Sequence, residues 1–283
     1  MKKLLLSAAA VALVSGAACA APAAIDATRI LQDIKVLSSD DFEGRGPATE
    51  GEKKTIAYLI QQMKAAGLQP AGDLMKDGKR AWTQDVPLVR SVAKGPVTVS
   101  VHMGGQDVSW KQGEEIAVRA TLIGDRLSVK DAPVVFAGYG VKAPERNWDD
   151  FKGMNLKGKV VLVLVNDPDF ETGKGDFGGK AMTYYGRWTY KYEEAARQGA
   201  AGILIVHETE PAGYPWEVVR GSWTGPLEEL TPDGRYEQAI QGWVSHDAAE
   251  KLFSAAGLKF DELASQADQP GFKPVPLRLN ANI

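Results

Sequence analysis

The sequence predicts an α/β protein, and three observations carry that prediction. Residues 132–140 (APVVFAGYG), 158–167 (GKVVLVLVND) and 200–208 (AAGILIVHE) are continuous apolar runs rich in β-branched residues, the pattern of strands covered on both faces of a parallel sheet. Between the second and third runs, 187–199 (RWTYKYEEAARQG) reads as a helix, so strand, helix and strand follow in the order of a parallel crossover. Elsewhere, helical periodicity alternates with half-buried strand patterns over 283 residues, enough for one large domain or two ordinary ones.

The elements follow in order. Residues 1–20 read as a secretory signal peptide: Lys2 and Lys3 form a basic start, Leu4 to Val14 an apolar stretch, and Ala18-Cys19-Ala20 an A-x-A cleavage site. Export to the periplasm or medium is therefore expected, with a rival reading in which Cys19 carries a lipid anchor. Cys19 is the sole cysteine, so disulfides and thiol chemistry are excluded from the fold. Ile30, Ile34 and Leu37 then mark a short amphipathic helix. Thr49 and Glu52 match a capping box, ahead of Ile56, Leu59, Ile60 and Met63 at helical spacing, with Gly67 and Pro70 beyond. "WTQDVPLV" (82–89) and "PVTVSVHM" (96–103) alternate like half-buried strands, and "MGGQ" (103–106) reads as a turn.

After the parallel runs, "GWVSHDAAEKLFSAAG" (242–257) sets a strand before a helix capped by Ser245 and closed by Gly257. "FKPVPLRLNANI" (272–283) alternates Val275, Leu277 and Leu279 as a strand. Its expected neighbour is the Val97–Met103 run, which makes the intervening residues an insertion and predicts an exposed, aggregation-prone sheet edge.

Composition narrows the function. Loss of Lys2 and Lys3 with the leader takes the formal charge from -3 to -5 and leaves no basic cluster, so nucleic acid is excluded as a partner. No stretch beyond the leader approaches bilayer length, so no membrane span is expected. His102, His207 and His246 lack partners at metal-ligand spacing, no G-x-S-x-G elbow occurs, and Ser245-His246-Asp247 reads as a helix start. "GKGDFGG" (173–179) lacks the ending of a phosphate loop and is expected to be a mobile surface loop. Asp149-Asp150 and Asp167 with Asp169 read first as turn and cap residues and second as calcium ligands. The aromatic side chains are the least ordinary feature. Tyr184 and Tyr185, then Tyr214, Trp216 and Trp223, sit in two segments, the second a long connector, and are candidates for a binding loop or lid.

Taken together, "LSSDDFEGRGPATEGEKKTIAYLIQQMKAAGLQPAG" resembles the opening of the bacterial di-zinc aminopeptidases related to glutamate carboxypeptidase. "VVFAGYGVKAPERNWDDFKGMNLKGKVVLVLVNDPDF", "YGRWTYKYEEAARQGAAGILIVHETEPAGYPWEVV" and "WVSHDAAEKLFSAAGL" resemble the protease-associated domain inserted in those enzymes. The resemblance implies a peptidase-domain N-terminal segment at 21–115, of two helices and few strands. It further implies an inserted α/β domain at 116–270 and a returning peptidase strand at 271–283, cut short at Ile283. The activity it implies is removal of N-terminal residues from peptides, with two zinc ions activating water. The family's zinc ligands and glutamate base lie in a part beginning with an H-x-D segment, and no residue here matches them. No catalytic or metal residue is therefore assigned, and the chain is expected to be inactive alone and to bind neither zinc ion. The alternative is a stand-alone exported module that binds peptide or glycan.

Overall fold

The structure, a computed structural model, describes residues 25–121, 126–230 and 239–283. The leader with Cys19 lies outside the described residues. The chain divides into two compact units between Asp85 and Val86.

In the first unit, α1 (Ala27–Leu37) starts at Asp26, whose carboxylate accepts from the N–H of Thr28 at 2.9 Å. A 3-10 turn over Asp40–Arg45 leads to α2 (Glu50–Ala65). Thr49 caps α2 as expected, but Glu52 reaches back to the N–H of Ala48, one residue beyond the usual box partner. Tyr58 donates to Asp33 at 2.6 Å and ties α2 to α1. Asp41 and Glu43 engage Lys54 through a backbone carbonyl and a carboxylate, a scaffold role.

Gly51 is the one buried residue of α2, and a Cβ there would lie 2.2 Å from the carbonyl oxygen of Phe42. Alanine is the better helix former by about 1 kcal/mol. Because that contact is with backbone, Gly51→Ala is nevertheless expected to destabilise this unit by about 1–3 kcal/mol in chemical denaturation.

The second unit is built on an eight-stranded sheet. Its strands, with two satellite ribbons, are β1 (Leu88–Ser91), β2 (Val99–Met103), β3 (Gln106–Trp110), β4 (Ile116–Ala120), β5 (Ala132–Phe136), β6 (Lys142–Ala143), β7 (Trp148–Asp149), β8 (Val160–Leu164), β9 (Gly202–His207), β10 (Leu227–Leu230), β11 (Ile240–Ser245) and β12 (Val275–Asn282). The order in the main sheet is β3-β2-β12-β5-β8-β9-β11-β4. β5, β8, β9 and β11 run parallel, and for the first three the unbroken apolar runs predict it. Both faces of these strands are covered. Phe136, Leu162, Leu204 and Val244 pack with α6 (His246–Ala255) and α7 (Phe260–Ala267), while Val135, Val161, Ile203 and Trp243 pack with α3 (Trp188–Arg197) and α5 (Trp216–Trp223). The fold is mixed α/β, in agreement with the sequence.

Several expectations are corrected. The 82–89 run becomes a strand only from Leu88, just after Pro87, which has no N–H to give a ladder. β12 pairs with β2 through Asn280 and His102 as expected, yet its other edge pairs with β5. The strand is thus enclosed, and the sheet edges are β3 and β4 rather than an open edge beside it. A bulge between Pro276 and Asn280, with Arg278 at φ 56°, lets β12 serve both neighbours. The 173–179 segment is a surface loop, as expected, but one side chain of it is anchored in the core. Phe177 is 2% exposed, packed edge-on against Trp148 and Tyr185, and its N–H donates to Asp169 at 2.8 Å.

Candidate functional site

Four parallel strands ending side by side leave a crevice beyond their carboxyl ends, where open α/β sheets place ligands. Here that crevice is a cleft of about 980 Å³. Leu164, Val165 and Tyr139 line it from the ends of β8 and β5, His207 and Glu208 from the end of β9, and Ser245 and His246 from the end of β11. α7 supplies one wall through Phe260, Asp261 and Asp268 just past its end, and Trp216 at the start of α5 supplies an aromatic contact.

The turns behind this cleft are held from below by a buried lysine. Lys191 on α3 is 1% exposed, and its ammonium donates to the carbonyls of Tyr139 at 2.7 Å, Asn166 at 2.8 Å and Tyr185 at 3.2 Å. Burial pulls its pKa down to about 8, against the opposing pull of Asp167 and Asp150. Asp150 accepts from the N–H of Val141 at 2.9 Å and the indole of Trp148 at 2.7 Å, and burial pushes it up to about 7. Asp167 accepts twice from Thr183. Asn166, at φ 70°, donates its amide to the carbonyl of Pro211 on the cleft wall. These carboxylates are structural acceptors, and Asp149 bonds the N–H groups of Phe151 and Lys152 as a turn residue.

Inside the cleft the charge is one-sided. Seven carboxylates line it, with no lysine or arginine. Glu208 is raised by burial despite its 2.5 Å contact with His246, and the charges of Asp261 and Glu171 add to the rise. Asp268 is raised by burial and by Glu171, although it accepts from the Tyr139 hydroxyl at 2.9 Å. Burial opposes the imidazolium of His246, but the hydrogen bond and charge of Glu208, with Glu250 and Asp247, outweigh it and raise the pKa. His207 is lowered by burial, and its Nε2 donates to the carbonyl of Tyr214 at 3.0 Å. Ser245 accepts from the N–H of Ala248 and so caps α6, as expected.

The five aromatic candidates separate. Trp216 lines the cleft, its indole donating to the carbonyl of Gly113 at 3.2 Å. Trp223 is 7% exposed, stacked among Tyr192 and Trp243 with the guanidinium of Arg119 4.2 Å over its ring. The segment read as a long connector holds α4 (Thr209–Ala212) and α5, and helix packing buries Trp223. Tyr214 packs against His207, while Tyr184 and Tyr185 bond Glu193 and Glu145 and do not line the cleft. The residues that do define it, Glu171, Glu208, Asp261 and Asp268, were not candidates. One signal was available: Phe260, Leu263, Ala264 and Ala267 keep helical spacing, and the acidic residues flank that stripe.

The histidines do not fit a zinc centre. His102 faces Asp107 across the β2–β3 hairpin at 3.0 Å, His207 is occupied by a carbonyl, and His246 by Glu208. Among the described residues no three His, Cys, Asp or Glu side chains converge to hold a metal ion. No helix of the described residues is long and apolar enough to cross a membrane.

No protein-family model and no curated protein matches the chain. Among solved structures it is similar to an aminopeptidase from Aneurinibacillus sp. strain AM-1, with a TM-score of 0.37 and 18% identity over 83% of this chain and 42% of that one. The chain thus spans less than half the length of that enzyme.

Proposed function

We propose that this chain is the N-terminal and protease-associated portion of an exported zinc-dependent aminopeptidase. On this reading residues 21–115 belong to the peptidase domain and 116–270 form the protease-associated domain. Two zinc ions act in a part of the enzyme that these residues do not supply, and peptide is the substrate of the whole. One observation carries the reading. Three separate segments that resemble the protease-associated domain, GYGV, NWDDF and RWTYKY, meet around Lys191 and Asp150, so the resemblance follows one interlocked core rather than scattered matches.

Reading the coding sequence past codon 283 tests this. The expected result is an in-frame continuation with an H-x-D segment and an acidic pair downstream. A stop codon there, with neither feature following, overturns it. The second reading, a stand-alone exported module that captures peptide or glycan, is favoured by the cleft. The mass of the mature N-terminus tests export, with cleavage after Ala20 expected and a lipid on Cys19 the contrary result.

A further inference from the structure

We propose that Glu208 and His246 form a pH-sensitive clasp that joins the ends of β9 and β11 at the cleft and holds the start of α4 in place while His246 is protonated. The proposal goes beyond the peptidase reading and stands whether or not that reading holds.

The parallel ladder between β9 and β11 ends at the pair His207 and Ser245. Beyond it the chains part, Glu208 leading into α4 and His246 into α6. Side chains make the next link: Nδ1 of His246 lies 2.5 Å from Oε1 of Glu208, and the imidazole packs edge-on against Phe260 of α7, 5.4 Å between ring centres. α4 depends on such a link. It has four residues, too few to persist alone, and its cap residue Glu208 makes no side-chain hydrogen bond to its N–H groups. Fixing Glu208 fixes the carbonyl that accepts from the N–H of Ala212 at 2.9 Å, the bond that closes this turn. The clasp responds to pH because of its surroundings. No lysine or arginine lines the cleft, and burial opposes the charge of its other histidine, His207. Glu250 faces Nε2 of His246 at 3.6 Å and Asp247 follows on α6, while Asp261 of α7 and Glu171 act on Glu208. Burial opposes the imidazolium, but Glu208, Glu250 and Asp247 outweigh it and hold the pKa of His246 above 6.5. Burial, aided by Asp261 and Glu171, also holds Glu208 above 4.5, which sets the acid limit of the pair. With Glu208 ionised, the contribution of His246 is complete below pH 6.5 and is lost as pH rises through its higher folded value. Past that point the ion pair becomes a hydrogen bond charged on one side only, among carboxylates that repel one another.

Nuclear magnetic resonance of the purified chain tests the proposal through the titration of His246, assigned with the variant His246→Gln, and through the exchange protection of the Ala212 and Gly213 amides of α4. His246 is expected to titrate above 6.5 in the parent and at a lower value in Glu208→Gln. At about pH 6 the two amides should be about threefold better protected in the parent than in His246→Gln, and at about pH 8.5 equally protected in both. His246→Lys, which keeps its charge across this range, should match the parent at about pH 6 and exceed it by about threefold at about pH 8.5. Comparing proteins at one pH cancels the titration of other groups. The amide of Leu204, inside β9, should be equally protected in parent and variants at each pH. A His246 midpoint at or below 6.5, a parent-to-variant ratio at Ala212 and Gly213 that is the same at both pH values, or an equal change at Leu204 overturns the proposal.

Discussion

Lys191→Met is expected to destabilise the second unit by about 3–5 kcal/mol, a cost typical of removing one partner from a buried charge network. The substitution preserves most of the apolar volume of the stem, so the loss arises from polar groups. The carbonyls of Tyr139, Asn166 and Tyr185 lose a buried donor, and Asp150 and Asp167 lose the cation beside them. In thermal denaturation this corresponds to a fall of about 10 °C. Lys53→Met, at a solvent-exposed lysine paired with Glu50 in the other unit, should leave the midpoint where it is. A Lys191→Met protein as stable as the parent would mean that the three carbonyls are served by something other than the ammonium.

The second large effect is a pH dependence with a definite sign. Asp150 titrates near 7 in the fold and near 3.8 when unfolded, because burial disfavours its charge. The folded state therefore binds more protons between those values. Its contribution to stability is complete below pH 3.8 and is lost as pH rises through about 7. Lys191 acts in another window. Its pKa of about 8, below the usual 10.5, means that the cost of burying its charge is relieved as pH rises from about 8 to 10.5. Asp150→Asn isolates the first effect. The amide cannot accept from both Val141 and Trp148, so the variant carries a constant penalty. On top of that penalty, the stability difference between parent and variant should shrink from pH 4 to pH 7 and level off above. Measured by urea denaturation at stepped pH, a difference that grows over that range would contradict a buried, proton-binding Asp150.

What was legible in the sequence follows from the strength of local patterns. β5, β8 and β9 announce themselves because strands covered on both faces are built almost wholly of apolar residues. α2 and α6 carry their caps, Thr49 and Ser245, in the sequence itself. The enclosure of β12 was only half legible. Its pairing with β2 follows from the alternation of Leu277 and Leu279, but its second partner, β5, depends on a bulge that no local pattern encodes. The cleft was illegible for a related reason. Glu171, Glu208, Asp261 and Asp268 lie far apart in sequence, and each alone looks like an ordinary surface acid. Only the parallel sheet brings them to one end. Among the aromatic candidates Trp216 does line the cleft, whereas Trp223 does not. Trp223 seemed free for binding because its segment was read as a loop, whereas α5 turns it into the core.

The central proposal is that these residues form the scaffold of an enzyme whose two zinc ions are held by residues outside them. Equilibrating the purified chain with excess zinc, removing the unbound metal by desalting, and measuring retained zinc alongside hydrolysis of leucyl-naphthylamide tests it most directly. The account predicts less than about 0.1 zinc per chain, as for a protein without converging ligands, and no hydrolysis. Two zinc ions retained per chain, with release of naphthylamine that a chelator abolishes, would contradict it.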